Sequence, residues 1–169
     1  MRRFLALLVI MALLAICVSL LFYPNTIMPV AISSRNDKAL DQGLIAAPWD
    51  SYRYNVDLMA RVIQGEAWAE PYIGKVAVGA VIMNRLESPN FPKTIPGVIF
   101  EPDAFESVAN GLIWLRYPGT DAYRATQDAL SGWDPTGGAL YYFNPSKPVS
   151  WWIWSRPIIT QIGNHVFSR

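Results

Sequence analysis

The sequence predicts an α+β fold: a mainly helical lobe, then a small C-terminal antiparallel sheet, with one apolar helix ahead of both. Three observations predict it. Residues 54–71 repeat apolar side chains at the helical period, and 74–86 run without a break. The strand-like stretches 139–143, 158–162 and 165–167 all fall at the end. Helices first and short strands last is the order of an α+β domain.

The chain opens with Met1-Arg2-Arg3 and an almost unbroken apolar run from Phe4 to Tyr23. That run is close to the roughly 20 residues needed to cross a bilayer, and longer than the usual core of a cleaved signal. Arg2 and Arg3 belong on the cytoplasmic side, which places the remainder outside. Residues 1–23 therefore read as a transmembrane anchor or signal segment, and the chain as exported. It is either anchored with its domain outside or secreted after cleavage near 29–33. Residues 24–51 mix Asn, Ser, Asp, Gly and Pro without periodicity and read as a linker. The domain then spans 52–169, where ten Lys and Arg balance ten acids. About 118 residues enclose a single core without staples.

In the first helix Asn55 is placed to cap, Asp57 suits the positive end of the helix dipole, and Pro71 stops the run. At about 100° per residue, Val56, Met59, Ala60, Ile63 and Ala67 share one side, opposite Asp57, Arg61 and Gln64. Glu66 lands beside Met59 and Val62, away from the polar stripe. Withdrawal from water disfavours a charged carboxylate, the condition a general acid needs near neutral pH. Position alone leaves a second reading open, a carboxylate at the core margin that reaches a backbone amide or an arginine.

Residues 74–86 favour a buried helix whose Ala77, Gly79 and Ala80 permit close packing. Residues 88–98 carry three prolines and read as a shaped loop. Residues 98–100 are a short strand or an extended lead-in to 103–115, which takes no assignment. Thr120 as N-cap and Gly132 as C′ residue bound a helix over 121–131. Residues 134–138 form a turn cluster, 139–143 is strand-like, and 151–155 is less clearly so. Gly163-Asn164 joins the last two strands as a hairpin turn of the primed class.

Composition excludes several chemistries. Net charge is +1, so nothing marks a nucleic-acid partner. The one cysteine, Cys17, lies in the apolar run, so the domain has neither disulfides nor thiolate metal ligands. His165 is the only histidine, which rules against a histidine-based zinc centre and a zinc peptidase. No Gly-x-Ser-x-Gly elbow or phosphate-binding glycine loop is present. No cofactor and no metal are expected, and His165 reads as a scaffold residue. Carboxylate chemistry is what remains. Trp133, Tyr141, Tyr142, Trp151, Trp152 and Trp154 crowd the last third, where flat rings suit the apolar faces of sugars. Side chains alternate along a strand, so Tyr141 and Tyr142 cannot both point inward.

The run Ala60-Arg61-Val62-Ile63-Gln64-Gly65-Glu66-Ala67, then 70–78 and Val81-Ile82-Met83-Asn84-Arg85, resembles the opening of the spore-cortex-lytic, germination-type cell-wall hydrolases (SleB/CwlJ type). Gly97-Val98-Ile99-Phe100, Ala104-Phe105, 133–142 with Asn144-Pro145, Trp154-Ser155-Arg156-Pro157, and Ile162-Gly163 with His165 and Phe167 continue it in order. The resemblance covers essentially all of 54–169. It implies a lysozyme-like catalytic domain acting on peptidoglycan glycan strands, with Glu66 as catalytic acid. Several members of that family are lytic transglycosylases. Members often carry a separate peptidoglycan-binding domain, and none is visible in this sequence.

The expected reaction is cleavage between N-acetylmuramic acid and N-acetylglucosamine. Ser107, Tyr141, Tyr142, Asn144, Trp154 and Arg156 are the candidates for binding the sugar. Glu70, one turn from Glu66, stands at the helix end rather than across a sugar. The role of Glu106 is open. The peptidoglycan strand is the expected partner, with the membrane through the first helix and a regulatory protein of unknown kind. The competing class is a membrane-anchored peptidoglycan-binding scaffold that does not cleave.

Overall fold

The structure, a computed structural model, describes residues 48–169, with side chains from Ser51 onward. The apolar run and most of the linker expected from the sequence lie outside the described residues. No helix among the described residues is long and apolar enough to cross a membrane.

Helix α1 spans Pro48–Ala67. It begins inside the expected linker, so Asn55 is an interior residue and not the cap. Proline suits a helix start, where no intrahelical amide is required. Its C-terminus comes before Pro71: Glu70 N–H closes a turn on the Ala67 carbonyl, 3.1 Å. Pro71 instead occupies the N-cap position of α2, Tyr72–Glu87.

Helix α2 is the axis of the domain. Every residue from Val76 to Ile82 is buried, so its β-branched side chains are accommodated by packing on all sides rather than by strand pairing. Gly79 makes the closest approach. A Cβ there would stand 2.9 Å from the Ala129 Cβ and 3.1 Å from the Ile63 Cδ1. Helix α3, Ile95–Ile99, falls where the sequence suggests loop and a short strand. Its start is a Thr94 cap, whose hydroxyl accepts the Gly97 N–H at 3.1 Å. The short helices α4, Glu106–Ala109, and α5, Leu112–Leu115, occupy the region that took no assignment.

Helix α6, Thr120–Leu130, has Gly119 rather than Thr120 at its N-cap. The amide of Gly119 donates to Gln64 Oε1 at 3.0 Å, so α1 supplies the cap from outside the helix. At the other end Gly132 adopts φ 91°. The Trp133 and Gly132 amides bond the Asp128 and Ala129 carbonyls, a Schellman motif.

The sheet has the order β1-β3-β2, with β1 Tyr141–Phe143, β2 Ile158–Ile162 and β3 His165–Ser168, antiparallel throughout. Gly163 alone in the hairpin turn has positive φ, 58°, as a primed turn with glycine first requires. Between β1 and β2, Trp151–Trp154 forms a single helical turn, α7, and not a strand. Only Ile153 of the four is buried, a period that one turn satisfies and an alternating strand does not. One face of the sheet sets Phe167 against Ala77, Val81 and Ala139 beneath α2. Val166, Phe143 and Ile153 form a smaller cluster.

Candidate active site

The C-terminal end of α1 carries Gly65 and Glu66 to the floor of a cavity of about 360 Å³. Helix α4 begins against it. Its N-cap, Phe105, is a buried apolar side chain that cannot accept a hydrogen bond, so the first-turn amides need an outside acceptor. Glu66 provides one: Ser107 N–H donates to its Oε1 at 2.6 Å. Gly65 permits the approach, because a Cβ there would lie 2.4 Å from the Ser107 Cβ and 2.7 Å from its Oγ. The backbone-amide contact of the second reading is therefore present, and it leaves Glu66 at the cleft. Among the described residues Glu66 makes no ion pair.

Strand β1 supplies Tyr142 and β3 supplies His165, their rings 5.1 Å apart. Burial pushes the Tyr142 phenol well above its ordinary range; the Glu66 carboxylate adds to this and Arg85 opposes it. The phenol is thus an O–H donor at neutral pH. Burial also lowers the His165 imidazole, against the pull of Glu70 and Glu66, so the ring is neutral in the fold at neutral pH. The Nδ1 of His165 and the Oγ of Ser107 are buried without a partner among the described residues.

Arg85 stands behind these groups. Its Nε donates to the Leu140 carbonyl at 2.8 Å, and the guanidinium lies over Phe105 and Phe91, 5.0 and 5.3 Å from the ring centres. Burial lowers its pKa, yet a guanidinium stays protonated in proteins. Its neighbour Asn84 donates to Asp134 Oδ2 at 3.0 Å and to the Ala139 carbonyl at 3.1 Å. The Asn84-Arg85 pair thus fastens the residues leading into β1 to α2 and so holds Tyr142 at the cavity that Glu66 also lines.

Of the residues selected from sequence, Glu66, Ser107, Tyr142 and Asn144 meet at the cavity. Tyr141, Trp154 and Arg156 are not among its lining residues. Tyr141 takes the opposite side of β1, edge-on to Trp152 at 5.6 Å and beneath the Arg156 guanidinium at 4.7 Å. Trp154 packs edge-on to Phe143 at 4.6 Å. Glu70 is spent elsewhere. It is buried, and its carboxylate accepts the Asn164 amide N–H at 2.9 Å and the Asn164 Nδ2 at 3.0 Å, which clamps the β2–β3 turn.

Sequence reasoning missed Trp68, Asp103, Arg116 and Lys147, all at the cavity wall, and left Glu106 without a place. Lys147 and Glu106 pair across it at 3.0 Å. Trp68 follows Glu66 by two residues and could have been suspected from that. Arg116 and Lys147 sit in irregular segments that carry no periodic signal. Among the described residues no cluster of His, Cys, Asp or Glu could hold a metal ion.

A model of the cell wall hydrolase family matches residues 69–168. The chain belongs to this family. The spore cortex-lytic enzyme of Oceanobacillus iheyensis is 57% identical over 115 residues, which cover 68% of this chain and 41% of that protein. That of Bacillus subtilis is 50% identical over 132 residues, 77% of this chain and 43% of that protein. The chain therefore spans less than half the length of these curated relatives. Among solved structures, the catalytic domain of the Bacillus cereus SleB protein superposes with a TM-score of 0.65 at 53% identity, covering 69% of this chain and 91% of that domain. The catalytic domain of the germination-specific lytic transglycosylase SleB from Bacillus anthracis gives 0.64 at 54% identity, with 68% and 93% covered. Relatives of this family share the helical lobe and small C-terminal sheet described above.

Proposed function

We propose that this chain cleaves peptidoglycan glycan strands between N-acetylmuramic acid and N-acetylglucosamine, as a lytic transglycosylase of the lysozyme-like type acting on spore cortex during germination. The observation that carries the reading is the Glu66 carboxyl at the floor of an open cavity, oriented through one oxygen by the Ser107 amide. Its second oxygen meets the glycosidic oxygen and protonates it as the bond breaks, leaving an oxocarbenium-like sugar. Now ionised, the same carboxylate takes the proton from the muramoyl 6-hydroxyl, which closes an anhydro ring on the sugar's own anomeric carbon. That hydroxyl is held intramolecularly, so it needs no activated water and reacts at high effective concentration.

A retaining or inverting hydrolase requires a second carboxylate set about 5–5.5 Å or 6.5–9.5 Å from the acid. Glu70 is unavailable for this, because both its oxygens hold the Asn164 turn. In this reading Tyr142, Ser107 and Asn144 orient the sugar, and Tyr141, Trp154 and Arg156 serve the strand further out. The cell-wall relatives that match this domain are named as enzymes, which favours cleavage over a non-catalytic scaffold. The apolar run behind Arg2 and Arg3 fits export, with the domain facing the wall or cortex.

Replacing Glu66 by Gln keeps the amide contact and removes the proton. Turnover of purified cortex should fall by about 10³-fold or more, while the circular dichroism spectrum stays that of the parent. Activity within tenfold of the parent would contradict the assignment.

A further inference from the structure

Beyond the cavity, aromatic rings that the core does not use stand after the C-terminus of α1 and in and after α5. Trp68 and Arg116 line the cavity wall, and the Arg116 guanidinium lies 5.0 Å from the Trp68 ring centre. Arg61 lies on α1 seven residues before Trp68, which follows the last helical residue, and so about 10 Å back along the axis. Its guanidinium is in turn stacked on Trp114 and Tyr117, 5.7 and 5.4 Å from their centres. The arrangement is held in place before any ligand arrives. Arg61 Nε bonds Asp57 Oδ2 at 2.7 Å, its Nη1 bonds the Ile113 carbonyl at 3.2 Å, and the Tyr123 hydroxyl fixes the other Asp57 oxygen at 2.6 Å.

Single exposed aromatic residues are ordinary. Here Trp68, Trp114 and Tyr117 are 59%, 57% and 85% exposed, and they sit in succession next to an open cleft. Rings with a guanidinium on one side and solvent on the other offer flat apolar surface beside hydrogen-bond donors. That pairing suits a sugar, which has an apolar ring face and a rim of hydroxyl and amide acceptors. It fits a membrane or a protein core less well, because the guanidinium groups are interleaved with the rings rather than set around them.

We infer that the cleft continues past Trp68 and Arg116 along the Arg61 side of α1, where Trp68, Trp114 and Tyr117 receive sugar rings of the glycan strand beyond the bond being cleaved. The inference rests on the glycan-strand reading of the site. The 169-residue chain carrying Glu66→Gln, which binds without turnover, is the probe, and peptide-free glycan strands purified from cell wall are the ligand. Adding Trp68→Ala and Tyr117→Ala together should weaken strand binding about tenfold or more. Adding Tyr117→Phe alone, which keeps the flat face, should hold binding within about twofold of the probe.

Equal binding by the alanine pair and the probe would overturn the inference. So would a loss seen only with strands that retain their stem peptides, since the arginines would then be reading peptide carboxylates. A loss shared by the phenylalanine variant would overturn it too, because the ring face would not be the determinant. Wild-type cleavage is scored in parallel to separate this site from the reaction. No fragments from the wild-type chain sinks the glycan reading and the extension with it, whereas normal cleavage with undiminished binding by the alanine pair sinks the extension alone.

Discussion

Gly65 is the residue on which the geometry of the candidate acid turns. Its missing side chain is the space that the Ser107 Cβ and Oγ occupy, and that contact sets the amide 2.6 Å from Glu66. Gly65→Ala should push α4 away and misplace the carboxyl. A shift on the order of 1 Å costs about 100-fold in rate. Because the clash is with the Ser107 side chain, Gly65→Ala should cost little further turnover when added to Ser107→Gly, a coupling that the double-mutant cycle on cortex turnover would register. The same loss in both backgrounds would mean that Gly65 acts through something other than this contact. The pattern Gly65-Glu66 is visible in the sequence, but the reason for the glycine is not. Its partner lies 42 positions away, in a four-residue helix that has no periodicity of its own.

At the scale of the elements, the turn at 134–138 decides where β1 enters the site. Asp134 Oδ1 accepts the Thr136 amide and hydroxyl at 2.7 and 2.6 Å, and Oδ2 accepts the Gly138 amide and Asn84 Nδ2 at 2.7 and 3.0 Å. Burial alone would raise the Asp134 carboxyl, but these hydrogen bonds outweigh it and hold the carboxyl below its ordinary 3.8. A depressed folded-state pKa adds stability that is present above about 3.8 and is lost as pH falls through the lower folded value. Asp134→Ala should therefore destabilise the domain by about 1–3 kcal/mol at pH 7. In urea unfolding the gap between variant and parent should shrink on going to pH 3, and a gap equal at both pH values would contradict the assignment. The turn itself was legible from Asp134-Pro135-Thr136-Gly137-Gly138, as were α2, α6 and the Gly163 hairpin, because each carries local chemistry. Helices α4, α5 and α7 were not legible, since each is a single turn decided by tertiary packing. Asn55 resembles a cap only if the helix starts there, and α1 starts seven residues earlier.

For the domain as a whole, α1 places the candidate acid Glu66 and α2 places Arg85, while the sheet brings Tyr142 and His165 to the same cavity. Four of the seven residues selected from sequence converge on the cavity: Glu66 near the end of α1, Ser107 in the single turn of α4, Tyr142 in the middle of β1 and Asn144 just after it. Tyr141, Trp154 and Arg156 depart because strand alternation and the α7 turn send them to another surface. The central claim is that one carboxyl performs both proton transfers and that the sugar's own 6-hydroxyl replaces water. Mass spectrometry of cortex fragments released by the wild-type chain tests it most directly. Anhydro-muramoyl ends, absent from a Glu66→Gln digest, are the predicted result. Reducing muramoyl ends alone would contradict it and turn attention to Asp103 or Glu106 at the cavity wall as the group that activates water.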